Sequence, residues 1–322
     1  MPFLASTYQA PRSLFSGHVQ TLAPVFLRRV PLVTRRRERI VTPDGDFLDL
    51  DWSDTDSDRV VVLSHGLEGS SRSSAVQAMA RAFVRRGWEV VAWSCRGCSG
   101  EPNRLPRAYH SGSSDDLRLI VDHVLEASPF HTLGLVGFSL GGNMTLKYLG
   151  EEGGAVDPRI RGGVAFSVPC DLASSSIRLA AWENRIYMKH FLRSLRAKVR
   201  EKAVRFPGTL DLTGIEQMRS FEEFDDRFTA PLHGFRDARD YWEKASSRLF
   251  LSQISIPALL VNARDDPFLT EACFPEKEAR ESDTFFLELP RSGGHVGFLS
   301  WGREYWSERR AVEFLGEFGR RD

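Results

Sequence analysis

The chain has 322 residues, 42% of them hydrophobic, with 43 Lys plus Arg set against 43 Asp plus Glu. That length buries a sizeable core, as one α/β domain carrying an insertion or as two domains. The even charge removes any chain-wide argument for nucleic acid or for an anionic membrane as partner.

Residues 1–15 lack a positive segment followed by an apolar one, so no secretory signal is expected. The apolar stretch over 22–33 is broken by Pro24, Arg28, Arg29 and Pro31. No segment is therefore predicted to span a membrane, which leaves only peripheral contact open. Arg28, Arg29, Arg35, Arg36 and Arg37 form one basic cluster and residues 198–205 a second, and both read as solvated faces. Four cysteines, Cys95, Cys98, Cys170 and Cys273, are too few and too scattered for a disulfide scaffold and point to a reducing, cytoplasmic setting.

Alternation and apolar runs predict strands over 39–42 and 47–52, joined as a hairpin by the Asp44-Gly45 turn. A strand over 60–64 follows, then a helix over 74–86, a strand over 89–93, a helix over 115–126, a strand over 133–137, a helix over 144–150 and a strand over 163–168. Strands that alternate with helices argue for an α/β fold with a mostly parallel central sheet covered on both faces. Beyond residue 170 the chain turns long, charged and helix-prone, with spaced apolar residues over 177–193 and 235–245. Strands over 258–262 and 284–289 then resume the sheet. Connections in compact α/β domains are short, so 171–247 reads as a helical lid inserted between a first core part, 1–170, and a second, 248–322.

Residues Leu135 to Asn143 run from an apolar strand through G-x-S-x-G into a helix, the pattern of a nucleophile elbow centred on Ser139. The Leu140 N–H and the helix N-terminus then face whatever oxyanion forms there. A serine at its free pKa needs a base and an acid that orients it. The strand over 258–262 ends in Ala263-Arg264-Asp265-Asp266-Pro267, and the last strand ends in Arg291-Ser292-Gly293-Gly294-His295, both at the strand ends where open α/β sheets build sites. The order Ser139, Asp266, His295 fits an α/β hydrolase, with Asp265 the alternative acid. The loop His65-Gly66-Leu67 offers its Leu67 N–H as the second oxyanion donor, with His65 itself read as structural.

His110 lies five residues before Asp115, the H-x-x-x-x-D spacing of some acyltransferases, but a loop ordering itself ahead of a helix is the simpler reading. His18 reads as a packed or hydrogen-bonded residue, and His123, His131, His190 and His233 belong to no constellation. Cys95-Arg96-Gly97-Cys98 has C-x-x-C spacing without a second pair, so neither a redox nor a zinc role is expected. No cofactor and no catalytic metal are predicted.

Ser16-Gly17-His18-Val19-Gln20-Thr21, the 65–71 loop, Arg96 to Asn103, Tyr109-His110-Ser111-Gly112, the Ser139 elbow and Asn262 to Phe268 together resemble the YheT-like hydrolases, AB-hydrolase family 4. The resemblance runs from about Ser16 to the C-terminus. It implies an α/β-hydrolase fold, Ser139, Asp266 and His295 at the triad positions, and cleavage of small carboxylic esters with short- to medium-chain acyl groups. Transfer of the acyl group to an alcohol, or acyl-ligand binding without catalysis, are the alternatives. Trp182, Tyr187, Phe191 and Phe228 of the lid either line an acyl pocket or pack the lid's own core.

Overall fold

The structure, a computed structural model, describes residues 3–11, 14, 16–34, 36–127 and 130–318. Nine strands, β1 (Phe3–Leu4), β2 (Arg36–Val41), β3 (Phe47–Trp52), β4 (Arg59–Ser64), β5 (Glu89–Ser94), β6 (Thr132–Phe138), β7 (Ile160–Phe166), β8 (Ala258–Val261) and β9 (Phe285–Glu288), form one sheet in the order β1-β9-β8-β7-β6-β4-β5-β3-β2. The expected hairpin joins β2 to β3, and Gly45 takes φ +83 in its turn. β3 also runs antiparallel to β5, whereas β4 to β9 pair in parallel. β1 was not foreseen; it adds to the sheet beside β9.

Period 2 divides the central strands between two faces. Val60 and Val62 of β4 and Leu133 and Leu135 of β6 face helices α3 (Ser114–Ala127) and α4 (Leu140–Glu152). Val61 and Leu63 instead meet Met79 and Phe83 of α2 (Ser74–Val84) and Phe314 and Leu315 of α11 (Trp306–Phe318). Both faces of a parallel sheet must be covered in this way, which is why these strands are near-continuous apolar runs.

Helix α1 (Gly17–Leu27), where the sequence suggested no helix, passes through Pro24. Proline cannot donate to the Gln20 carbonyl and its ring crowds that oxygen, and the contacts described below hold the helix in place against this. Between β7 and β8 lie α5 (Leu172–Ala180), α6 (Arg185–Arg205), α7 (Phe221–Phe224), α8 (Ala230–Leu232) and α9 (Ala238–Ala245), and the short α10 (Glu276–Arg280) precedes β9. The apolar spacing over 177–193 is not one helix. It breaks at a tight turn, Trp182–Asn184, because the buried Asn184 amide donates to the Arg178 carbonyl (2.9 Å) and the Pro267 carbonyl (2.7 Å). Helices α5, α6 and α7 and the turns that follow them share an apolar cluster that includes Leu179, Tyr187, Met188, Leu192 and Phe228 and meets Phe268 after β8.

The basic stretch over 198–205 corrects the expectation of a solvated face. Lys202 is 6% exposed and donates to Asn103 Oδ1 (2.7 Å) and the Leu105 carbonyl (2.6 Å), and Arg205 donates to the Asn103 carbonyl (2.8 Å). Burial pulls the Lys202 amine down to about 8. These partners lie roughly a hundred residues away, so local charge could not announce them. In the N-terminal cluster, Arg28 pairs with Glu308, Arg36 with Asp54 and Arg37 with Asp51, while Arg35 lies outside the described residues. Among the described residues no helix is long and apolar enough to cross a membrane.

Candidate active site

β6 delivers the chain into a sharp turn at Ser139, whose φ of +51 and ψ of −118 are strained for a residue with a side chain. Such a conformation costs on the order of 1–3 kcal/mol and persists only where its surroundings over-determine it. Here the Ser139 N–H donates to the Phe166 carbonyl of β7 (2.8 Å), and α4 starts at the next residue. The close approach explains Gly141: a Cβ there would lie 2.5 Å from the carbonyl oxygens of both Ser64 and His65.

His295 Nε2 stands 2.8 Å from Ser139 Oγ, and His295 Nδ1 stands 2.9 Å from Asp266 Oδ2. A carboxylate oxygen can only accept, so Nδ1 carries the ring proton and Nε2 is left to accept from the serine hydroxyl. The Asp266 side chain has no exposed surface, and its other oxygen accepts from the Phe268 N–H (2.8 Å). Asp265, its neighbour, does not meet the ring. Its Oδ1 accepts from the Gly294 N–H (2.9 Å), one residue before the histidine. Burial pushes the Asp265 carboxyl above its ordinary value, and the charge of Asp266 adds to that shift.

The histidine loop leans on α1, a role that the sequence did not reveal. The His295 N–H donates to Thr21 Oγ1 (2.9 Å), and that hydroxyl donates to the Gly17 carbonyl (2.7 Å). Gly294 has φ +58, and a Cβ on it would sit 2.4 Å from the Gly17 carbonyl oxygen. On the other side the Val296 N–H donates to Ser167 Oγ (2.8 Å) at the end of β7. The Ser16 to Thr21 motif was visible as a signature, but nothing in its composition says that it seats a histidine.

Gly66 lies against Ser139, with a Cβ placed on it only 3.3 Å from Ser139 Cβ. The Gly66 carbonyl accepts from the Gly69 N–H (3.0 Å) and from His65 Nδ1 (2.7 Å). A trans peptide is planar, so fixing this carbonyl also fixes the Leu67 N–H of the same peptide in the opposite direction. His65 Nε2 accepts from the Cys95 N–H (3.0 Å), and burial holds the imidazole down to about 4, in its neutral form. That is the structural part expected of it. Leu140 is the first residue of α4, so its N–H is one of the donors that a helix leaves unpaired.

Beside the imidazole, the Phe268 ring packs 4.3 Å from that of His295, and Tyr187 and Phe191 of α6 pack on Phe268 at 4.8 and 6.1 Å. Phe228 is buried in the cluster formed with α5, α6 and α7, whereas Trp182 is 79% exposed and joins neither group. His18 stacks on Tyr187 with Nδ1 3.1 Å from its hydroxyl. The H-x-x-x-x-D spacing assembles no relay: His110 Nδ1 accepts from the Gly112 N–H, its ring faces His233 at 4.5 Å, and Asp115 is exposed. All four cysteines are free. Among the described residues no three His, Cys, Asp or Glu are grouped to hold a metal ion.

A family model described as the α/β-hydrolase fold matches residues 59–299. The chain is 36% identical to the inferred esterase YheT of Escherichia coli (strain K12), covering 97% of this chain and 94% of that protein. It is 30% identical to phospholipase ABHD3 of Bos taurus over 94% of this chain and 76% of ABHD3, and 27% identical to a monoacylglycerol lipase of Saccharomyces cerevisiae over 92% and 66%. The Pyrococcus furiosus esterase Pf2001 shares the fold, with a TM-score of 0.60 at 19% identity over 90% of this chain and 96% of that one. The sheet order, the strained serine turn and these matches together make the chain a member of the α/β-hydrolase family, among the relatives of YheT.

Proposed function

We propose that this protein hydrolyses carboxylic esters of short- to medium-chain acyl groups through an acyl-enzyme on Ser139. The carrying observation is the hydrogen-bonded run from Ser139 through His295 to Asp266, and we assign the Leu67 and Leu140 amides as the oxyanion donors. His295 Nε2 takes the hydroxyl proton as Ser139 Oγ bonds to the ester carbonyl carbon, and Asp266 holds the imidazolium that forms. The carbonyl oxygen becomes an oxyanion facing the two amides, each contributing about 3 kcal/mol to the transition state. As the C–O bond to the leaving group breaks, the imidazolium returns its proton to that oxygen and an alcohol departs. Water then gives a proton to His295 while its oxygen attacks the acyl carbon, releasing the acid and restoring Ser139.

We assign the inserted helices α5 to α9 as the lid. We assign Tyr187 and Phe191, carried by α6 and packed on Phe268 beside His295, as the aromatic side chains that meet an acyl chain. The names of the relatives, esterase, phospholipase and monoacylglycerol lipase, support an ester of this kind. The test is hydrolysis of a chain-length series of nitrophenyl esters by the purified protein and by Ser139→Ala. Activity that peaks at one chain length and vanishes in the variant is expected, and unchanged hydrolysis by Ser139→Ala ends the proposal. Ester formed in preference to acid at modest alcohol concentration would reassign the enzyme as an acyltransferase.

A further inference from the structure

Glu68 follows the Leu67 donor, and the ester mechanism has no use for its carboxylate. It is nevertheless held at both ends. Its backbone takes φ +57 in the Gly66 to Gly69 turn, a region a glutamate enters only under constraint. Its own N–H donates to the Tyr109 hydroxyl (2.8 Å), and that hydroxyl donates back to Glu68 Oε1 (2.8 Å). The same oxygen accepts from Lys198 Nζ (2.8 Å), and Oε2 accepts from the Ser194 hydroxyl. The Glu68 side chain is 8% exposed and that of Lys198 28%. Burial pushes the carboxyl up, but the ammonium and the hydroxyls outweigh it, so the group stays ionised below its ordinary value.

Ser194 and Lys198 are four residues apart on α6 and so share one helix face. That face closes on the turn that aims the Leu67 amide. Lys198 Nζ also lies 3.1 Å from Cys98 Sγ, so the second cysteine of the C-x-x-C segment caps the ion pair from the core side. A buried acid that bridges a strained turn to the helix of an insertion transmits the position of one to the other.

We propose that Glu68 is a positioning residue for the oxyanion turn, and that α6, through Lys198 and Ser194, completes it. The seating of the insertion on the core and the aim of the Leu67 N–H are then one event. This rests on the ester-hydrolysis reading above, because it gives Glu68 a task in stabilising that reaction's oxyanion.

The test compares Glu68→Gln, Lys198→Met, their double variant and Ser194→Ala with the wild-type chain. Two quantities are read: kcat and KM for a nitrophenyl ester, and Ki for an alkyl trifluoromethyl ketone, whose adduct with Ser139 carries an oxyanion. Glu68→Gln and Lys198→Met are each expected to lower kcat roughly 10- to 100-fold, to change KM less than about threefold and to raise the ketone Ki by the same factor as kcat falls. The double variant is expected to be no worse than the weaker single, because either change removes the pair. Ser194→Ala, which keeps the ion pair, loses about threefold in kcat. An unchanged ketone Ki, a loss confined to KM, or a double variant whose losses multiply overturns the proposal. Where Glu68→Gln does not fold, a Ser194→Ala enzyme with wild-type kcat and Ki overturns it. Ester hydrolysis by the wild type that Ser139→Ala abolishes upholds the esterase reading whatever these variants do, so the two claims fail separately.

Discussion

Two adjacent aspartates make opposite predictions. In Asp266→Asn, the amide oxygen is expected to keep the Phe268 N–H that Asp266 Oδ1 now accepts (2.8 Å). That orientation turns the amide NH2 toward His295 Nδ1, 2.9 Å away, and forces that nitrogen to become the acceptor. The ring proton then moves to Nε2 and points at Ser139 Oγ, where it cannot take up the hydroxyl proton. Losing both the tautomer and the carboxylate behind the imidazolium costs about 10⁴ in kcat, or roughly 5.5 kcal/mol of barrier. Asp265→Asn keeps an oxygen for the Gly294 N–H and never touched the ring, so less than about a tenfold loss is expected. Initial rates with a nitrophenyl ester, paired with thermal unfolding to show that both variants fold, decide the matter. Equal losses at the two positions, or an Asp266→Asn enzyme within tenfold of wild type, would refute the assignment of roles.

Three further outcomes follow from groups around the site. His65 must be neutral to accept the Cys95 N–H and is held at about 4 against an ordinary 6.5, so the folded chain binds fewer protons than the unfolded one between those values. Stability is therefore full above pH 6.5 and falls by about 3 kcal/mol as the pH drops to 4; urea unfolding at pH 7 and 4.5 is expected to show a smaller drop in His65→Gln, and an identical drop would remove His65 from the account. Gly294→Ala places a methyl 2.4 Å from the Gly17 carbonyl oxygen at φ +58, so the histidine loop shifts and kcat/KM falls on the order of 100-fold; activity within threefold of wild type would show that the loop tolerates the shift. Arg96, 6% exposed, bonds Asp116 (2.7 Å), Asp44 (2.8 Å) and Asp46 (3.3 Å), so Arg96→Met strands buried carboxylates and is expected to lower the unfolding free energy by about 3–5 kcal/mol in denaturant titration; a loss under about 1 kcal/mol would contradict it.

What could be read in advance was whatever local chemistry dictates. The Asp44-Gly45 turn, the apolar runs of the parallel strands and the glycines flanking Ser139 each obey a constraint that acts within a few residues, and each sits where it was expected. His295 and the acidic pair were legible because both follow strand ends. The sequence favoured Asp266 from its place before Pro267 and kept Asp265 as the alternative, since what separates the adjacent side chains is the folding of the loop against Gly294 and Phe268. The rest was hidden for other reasons. β1 has two residues, too few for a period, and Pro24 masked α1 because the contacts that hold that helix come from residues near the other end of the chain. Lys198 and Lys202 looked like surface charge because Glu68 and Asn103, their partners, are far away in sequence.

The seat of the imidazole on Gly17 and Thr21 has a practical corollary. A chain trimmed to begin at β2 keeps the serine, the acid and most of the sheet, yet its histidine loop loses the surface it rests against. Grafting the first thirty residues of one relative onto the body of another is thus an intervention on turnover as much as on solubility. Differences in rate among such hybrids would trace to a helix that carries none of the reacting groups.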